Sequence, residues 1–499
     1  MNNLDLESYF EPFRKNIVGN LAEFDSPFGR QKLIYADWIA SGRLYSPIEQ
    51  VMQERFGPFV ANTHSEASYS GRLMTNAYHE AHEIIKKHVN ASDKDVILTT
   101  DSGTTGVLCK FQRILGLKLP EKFAHVKNKI TESERPVVFL THMEHPSNHT
   151  TWLETIADVV VLEPKEDLSV DVESLKKELT RYSNRKLKIG SFTACSNVSG
   201  VFTPFYELAS VMHEHGGYCF VDFAASAPYV TIDMHPGDAL KSLDAIFFSP
   251  HKFLGGPGSS GVLVFNGDLY NNRIPDHPGG GTVSWTNPWG EHAFFTDVEV
   301  REDGGTPAFL QTIRAALSIR LKEQMGIEKI RLREKELIEI AFSGLNKIPG
   351  IHILVAQHTD RLGVISFYSE SIHFNLIVSL LSDLYGIQVR GGCSCAGTYG
   401  HMCLNVTREM SKKITDKIDS GDLSEKPGWV RLSLHPTMSN NELHFILKAI
   451  DFISKNAVEL SKDYLYDGFT NEYHHKNQLN GQQEMDLFRL HSPVGYSII

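Results

Sequence analysis

A lysine at the end of an apolar run carries the strongest chemical signal in this chain. In "AIFFSPHKFLGGPGSSGVLVF" (245–265), Lys252 follows Ser249 and His251 and precedes Gly255, Gly256, Pro257 and Gly258. That is where a Schiff-base lysine would sit, although a solvated lysine in a glycine-rich turn has the same local look. Thirty residues upstream, "YCFVDFAAS" puts Asp222 at the end of a second buried run. A buried acid needs a cationic partner. A protonated pyridine nitrogen is such a partner, and pyridoxal phosphate needs that charge to act as an electron sink.

Two more stretches suit the same cofactor. "TTDSGTTG" lies after one predicted strand and before a predicted helix, so backbone N–H groups and the hydroxyls of Thr104 and Thr105 gather at a helix N-terminus, a ready anion site. "THMEHPSN" puts His145 at a strand end, where an imidazole could lie flat on a pyridine ring. A histidine hydrogen-bonded at a sheet edge is the plainer alternative.

"RGGCSCAGTYGHMC" (390–403) holds three of the chain's six cysteines and a histidine. A metal knuckle, a redox pair and a single reactive thiol are all open to it. Cys393 and Cys395 stand one residue apart, closer than the two-to-four spacing usual in tetrahedral chelation.

The elements that must position these residues read clearly. "DVILTT", "PVVFLTHMEH", "DVVVLEP", "LKIGSFTA", "YCFVDFAA", "AIFFSPHK" and "GVLVF" read as buried strands, several separated by helical patterns such as "DVESLKKELTRY" and "YELASVMHEH". This predicts an α/β fold with a mostly parallel, doubly wound sheet, whose ligands sit beyond the carboxyl ends of strands. After a long helix ending in "SIRLKEQM", a smaller α/β unit follows, with strands "IHILVA", "LGVISFY", "IQVRGG" and "WVRLSLH" and a final helix opened by a capping box from Ser439 to Glu442. The expected divisions are an N-terminal segment (1–32), a large cofactor-binding domain (33–320), a small C-terminal domain (321–456) and a tail (457–499). Residues 404–427 read as loop with some helix, and the tail shows no period.

Composition fits a soluble globular protein, with 41% hydrophobic and 22% charged residues. The net charge of -11 argues against nucleic acid as a partner. The N-terminus carries acids where a signal peptide would be basic, and no apolar run reaches membrane-spanning length, so a cytoplasmic protein without membrane association is expected, its thiols reduced.

The ordered set "IYADWIASG", "ANTHSE", "SGTTG", "MEH", "SNVSG", "VDFAAS", "SPHKFLGGPG", "PGGG", "GGTP", "VRGGCSCAG" and "VRLSLHPT" resembles the class V aminotransferase family of fold-type I pyridoxal-phosphate enzymes, and within it the cysteine desulfurases and selenocysteine lyases. The resemblance implies pyridoxal 5'-phosphate bound to Lys252, its nitrogen paired with Asp222 and its ring under His145, a further catalytic group. Asn197 would approach the ring hydroxyl. Thr104, Ser249 and His251 would hold the phosphate, with Thr282 after "PGGG" reaching across from a second subunit of a homodimer. Arg431 would grip the substrate carboxylate, a task suited to guanidinium geometry, and His64 in "ANTHSE" falls on the substrate side. "RGGCSCA" matches an Arg-x-Gly-x-x-Cys-Ala motif, which makes Cys395 the nucleophile. Relatives commonly have Gln at Ala225 and often His at Cys393.

The activity so implied is cysteine desulfuration, giving alanine and a persulfide on Cys395, with an amino acid as substrate and a sulfur-acceptor protein as partner. One alternative is a class V aminotransferase, epimerase or C–S lyase that uses Lys252 but not Cys395, which Ala225, Cys393 and the insertion after Cys395 favour. Another, of a different class, is a non-catalytic dimer that binds metal or partners through its Cys/His loop. A scaffold has no need of Lys252, Asp222 and Arg431 together.

Overall fold

The computed structural model describes residues 5–63, 66–393 and 397–477. Seven strands form the large sheet: β1 (Asp95–Thr100), β2 (Val137–Leu140), β3 (Asp158–Val161), β4 (Lys188–Thr193), β5 (Tyr218–Asp222), β6 (Ala245–Phe248) and β7 (Gly261–Asn266). Their order is β1-β7-β6-β5-β4-β2-β3, and only β7 runs antiparallel to its neighbours. Each predicted strand is present. They read as unbroken apolar runs because both faces are covered. On one face Phe220 and Phe265 pack on Phe111, and on the other Phe192, Val221 and Ile246 share a second core.

Register sets the carboxyl ends side by side. Thr193 of β4 pairs with Asp222 of β5, and Asp222 with Phe247 of β6. Helix α1 (Gly103–Ile114) leaves β1, and α2 (Pro146–Leu153) follows β2. Val107, Leu108, Phe111 and Ile114 form the buried stripe that the sequence period predicts for α1.

The chain then runs through α3 (Phe309–Met325) and α4 (Ile327–Leu345) into a four-stranded antiparallel sheet. Its strands are β8 (Ile351–Ile353), β9 (Val364–Ser369), β10 (Arg390–Gly392) and β11 (Trp429–Ser433), in the order β8-β9-β11-β10. Helices α5 (Phe374–Tyr385), α6 (Gly397–Cys403), α7 (Arg408–Asp419) and α8 (Asn440–Leu460) complete this part. The capping box of α8 is formed, Ser439 and Glu442 each bonding the other's backbone N–H. N-terminal residues belong to this core as well: Phe10, Ile17 and Trp38 pack with Ile365, Leu432 and Ile446.

Two details differ from the sequence reading. The run "IQVRGG" is two strands, since Ile387–Gln388 pairs with Ile34–Tyr35 and Arg390–Gly392 pairs with β11. Two different partners divide a run that its own residues leave continuous. The helix expected within 404–427 is α7, none of whose residues is buried. The tail forms a hairpin of β12 (Tyr464–Asp467) and β13 (Glu472–His475), whose Tyr and His residues hide the alternation that apolar residues would show. No helix among the described residues is long and apolar enough to cross a membrane.

Candidate active site

The turn from β1 into α1 is tight. Gly103 adopts φ +61°, and a Cβ on Gly261 of β7 would strike the Gly103 backbone. Only glycines let these two segments approach so closely. The first turn of α1 thereby opens onto a cavity of about 260 Å³, bounded also by the loops after β2, β4, β5 and β6.

At this end hydroxyls are paired. The Thr104 N–H donates to Ser249 Oγ at 2.8 Å, and the Thr104 and Ser249 hydroxyls lie 2.5 Å apart. Thr105 Oγ1 meets Ser147 Oγ at 2.6 Å. His145 caps α2, its Nδ1 accepting the Ser147 N–H at 3.2 Å, so the proton of the neutral ring sits on Nε2. Burial, then the charges of Lys252 and Arg431, lower the His145 pKa to about 4. Burial and Lys252 lower His251 equally, to about 4. Both imidazoles are neutral at neutral pH.

Asp222 ends β5, Lys252 closes the turn that follows the adjacent β6, and both line the same cavity. Burial outweighs their attraction at both. It lowers Lys252 to about 8, with Asp222 the leading opposing influence and Arg431 and Arg390 acting in the same direction as burial. It raises Asp222 to about 6, opposed by the Ala224 N–H at 2.8 Å and by Lys252. A buried acid and a poised amine thus flank a space that can take a cation on the acid's side and a carbonyl on the amine's.

Two guanidinium groups also line the cavity. Arg431 of β11 donates to Asp37 Oδ1 at 2.9 Å and to the Asn197 carbonyl at 3.2 Å. Arg390, its register partner on β10, donates to Asp37 Oδ2 at 3.2 Å. One carboxylate therefore steadies two cations at the rim.

Most of the expected residues converge here: Thr104, Thr105, His145, Asn197, Asp222, Ser249, His251, Lys252 and Arg431 all line the cavity. Thr282 does not line it; its hydroxyl donates to the Gly279 carbonyl at 2.7 Å. His64 and Cys395 lie outside the described residues. Cys393 is half-buried, and burial pushes the Cys403 thiol up to about 12. Among the described residues, no group of three His, Cys, Asp or Glu side chains is placed to hold a metal ion. Sequence reasoning missed the parts played by Asp37, Ser147 and Thr193. Only Asp37 left a signal, an acid directly after the short run "IYA".

The profile of the Aminotransferase class-V family matches residues 34–445. The chain belongs to this family. A probable cysteine desulfurase of Staphylococcus epidermidis is 28% identical over 386 residues, 77% of this chain and 87% of that protein. Among solved structures, the apo cysteine desulfurase of Thermococcus onnurineus NA1 superposes with a TM-score of 0.71 at 22% identity, covering 89% of this chain and 98% of the other. A C-DES lysine mutant with glycine covalently linked to its PLP cofactor superposes with a TM-score of 0.63 at 18% identity, over 88% of this chain and 98% of the other. This class V member thus has the fold-type I architecture.

Proposed function

We propose that this protein is a pyridoxal-phosphate enzyme that desulfurates L-cysteine, leaving alanine and a persulfide on Cys395. The observation that carries the reading is that Asp222 at the end of β5, Lys252 in the turn after β6 and Arg431 all line one cavity, Asp222 and Arg431 buried. The residues fit the cofactor. Asp222 is a buried carboxylate in want of a cation, Lys252 offers an amine near its titration range, and the first turn of α1 offers amides and hydroxyls to an anion. When bound, pyridoxal phosphate supplies an electron sink for the substrate α-carbon.

The chain's own groups supply the rest. Arg431 binds the substrate carboxylate and so orients the α-carbon. Lys252, whose pKa of about 8 leaves a useful free-amine fraction, moves the α-proton. Neutral His145 offers its Nε2–H to the cavity without adding charge. The Cys395 thiol takes the substrate sulfur as the Cβ–S bond breaks. The electron pair stays with the carbon skeleton, protons complete alanine, and covalent storage divides the transfer into two steps. The reading includes a homodimer, a sulfur-acceptor protein that unloads Cys395, and a cytoplasmic setting in which thiols stay reduced.

Product analysis with L-cysteine and a reductant tests it, wild type beside Cys395→Ala. Equal alanine and sulfide, lost in the variant while the cofactor colour persists, is the expected result. Pyruvate and ammonia, or no turnover with colour intact, would replace it with a lyase or transaminase.

A further inference from the structure

The family match ends at residue 445, inside α8, and the chain continues into the hairpin β12–β13. That hairpin is stitched along α5. Asn375 Nδ2 donates to the Asn471 carbonyl, Ser379 Oγ to the Tyr473 carbonyl at 3.1 Å, and Tyr464 OH to Asp383 at 2.8 Å. The His373 ring, at the start of α5, lies 5.6 Å from Tyr466 and 5.4 Å from Tyr473. Asn471 is buried in the left-handed region at φ +60°, its side chain accepting from Tyr466 OH at 2.9 Å. At the hairpin turn, the Gly468 carbonyl accepts the Leu423 N–H at 2.8 Å, which ties in the segment between α7 and β11.

The same first turn of α5 presses on β10. The Asn375 carboxamide fills the place a Cβ would take on Gly391, with Val378 beside it, and a Cβ on Gly428 would meet both Phe374 and Gly392. Strand β10 is an edge of three residues, two of them glycine, paired with β11 alone. Such a strand has little of its own to fix it. Yet it carries Arg390 to Asp37 and ends immediately before Cys393.

We propose that the C-terminal hairpin braces β10 through Asn375 and thereby places Arg390 at the cavity rim. Asn375 is a positioning residue, out of reach of substrate. The brace is a property of the fold, and only its kinetic consequence rests on the function proposed above.

The test uses the full-length, cofactor-loaded protein with two variants. Asn375→Ala removes the link itself. Ser379→Ala combined with Tyr464→Phe loosens the hairpin without touching Asn375 or Gly391. Hydrogen exchange across 388–393 should quicken about fivefold in both, the scale of one lost buried hydrogen bond. The KM for L-cysteine should rise about fivefold, with kcat and cofactor affinity within about twofold of wild type. Unchanged exchange at β10 in both variants would overturn the brace. So would a fall in cofactor affinity that tracks global stability, because Asn375 would then be an ordinary packing residue. If the wild type does not turn over cysteine, the functional reading fails, while exchange and cofactor titration still decide the brace.

Discussion

Arg431 Nη2 lies 2.9 Å from Asp37 Oδ1, and this ion pair joins β11 to a segment almost four hundred residues away in sequence. Arg431 is almost fully buried, so its charge needs a partner even without substrate. Asp37 holds the guanidinium in place and also steadies Arg390.

Asp37→Asn should therefore loosen both arginines at once. The loss of a charge-assisted bond at a buried site is worth about 2 kcal/mol, which predicts a fall in kcat/KM on the order of thirtyfold, mostly in KM. Steady-state kinetics with L-cysteine, alongside a cofactor titration that should stay near wild type, checks it.

Asp222→Asn should act in opposite directions on stability and on cofactor retention. A carboxyl raised from 3.8 to about 6 in the folded state costs stability above pH 6, and the cost vanishes below pH 3.8. The cofactor-free variant should thus be more stable than wild type at pH 7 by up to about 3 kcal/mol, less what Lys252 loses with its partner, and no more stable at pH 3.5. Cofactor affinity should drop sharply. Denaturant unfolding at the two pH values and an absorbance titration measure these effects.

The amine of Lys252 should be reactive well below the range of an ordinary lysine. Its unfolded value is 10.5 and its folded value about 8, so the unfolded chain binds more protons between those limits. The group's penalty on stability is full below pH 8 and disappears as pH rises to 10.5. In the cofactor-free protein, the pH dependence of amine labelling at Lys252, followed by peptide mapping, should show a midpoint near 8. Asp222→Asn should move it lower, because the leading opposing charge is gone.

Gly261→Ala should disturb the anion end of the cavity without touching its side chains. The new methyl meets the Gly103 backbone, which has no rotamer to yield. Overpacking of this kind costs about 1–3 kcal/mol, and displacement of the first turn of α1 should weaken cofactor binding about tenfold or more. Thermal unfolding and cofactor titration together test it.

Read from the residues alone, the large sheet was nearly complete, because strands buried on both faces must be continuously apolar. Lys252, Asp222, His145 and Thr104 were legible for a related reason: polar residues directly after such runs fall at the carboxyl edge of the sheet. The hairpin of the tail was not legible, since Tyr464, Tyr466, Tyr473 and His475 are part apolar and part polar, so the buried Tyr464 and His475 do not stand out from the exposed Tyr466 in the sequence. Nor was the division of "IQVRGG" between two sheets, which depends on Ile34 and on β11.

The sequence by itself thus determined the order of strands and helices, the reactive residue types and the strand ends that present them, all consequences of local hydrophobic pattern and turn chemistry. Tertiary structure decided what sequence distance conceals. It set Asp37 between Arg390 and Arg431, placed Ser147 between Thr105 and His145, and pressed Asn375 into the space left by Gly391. These relations come from register and packing between distant segments, where shape and charge are matched in space and no residue announces its partner in the chain.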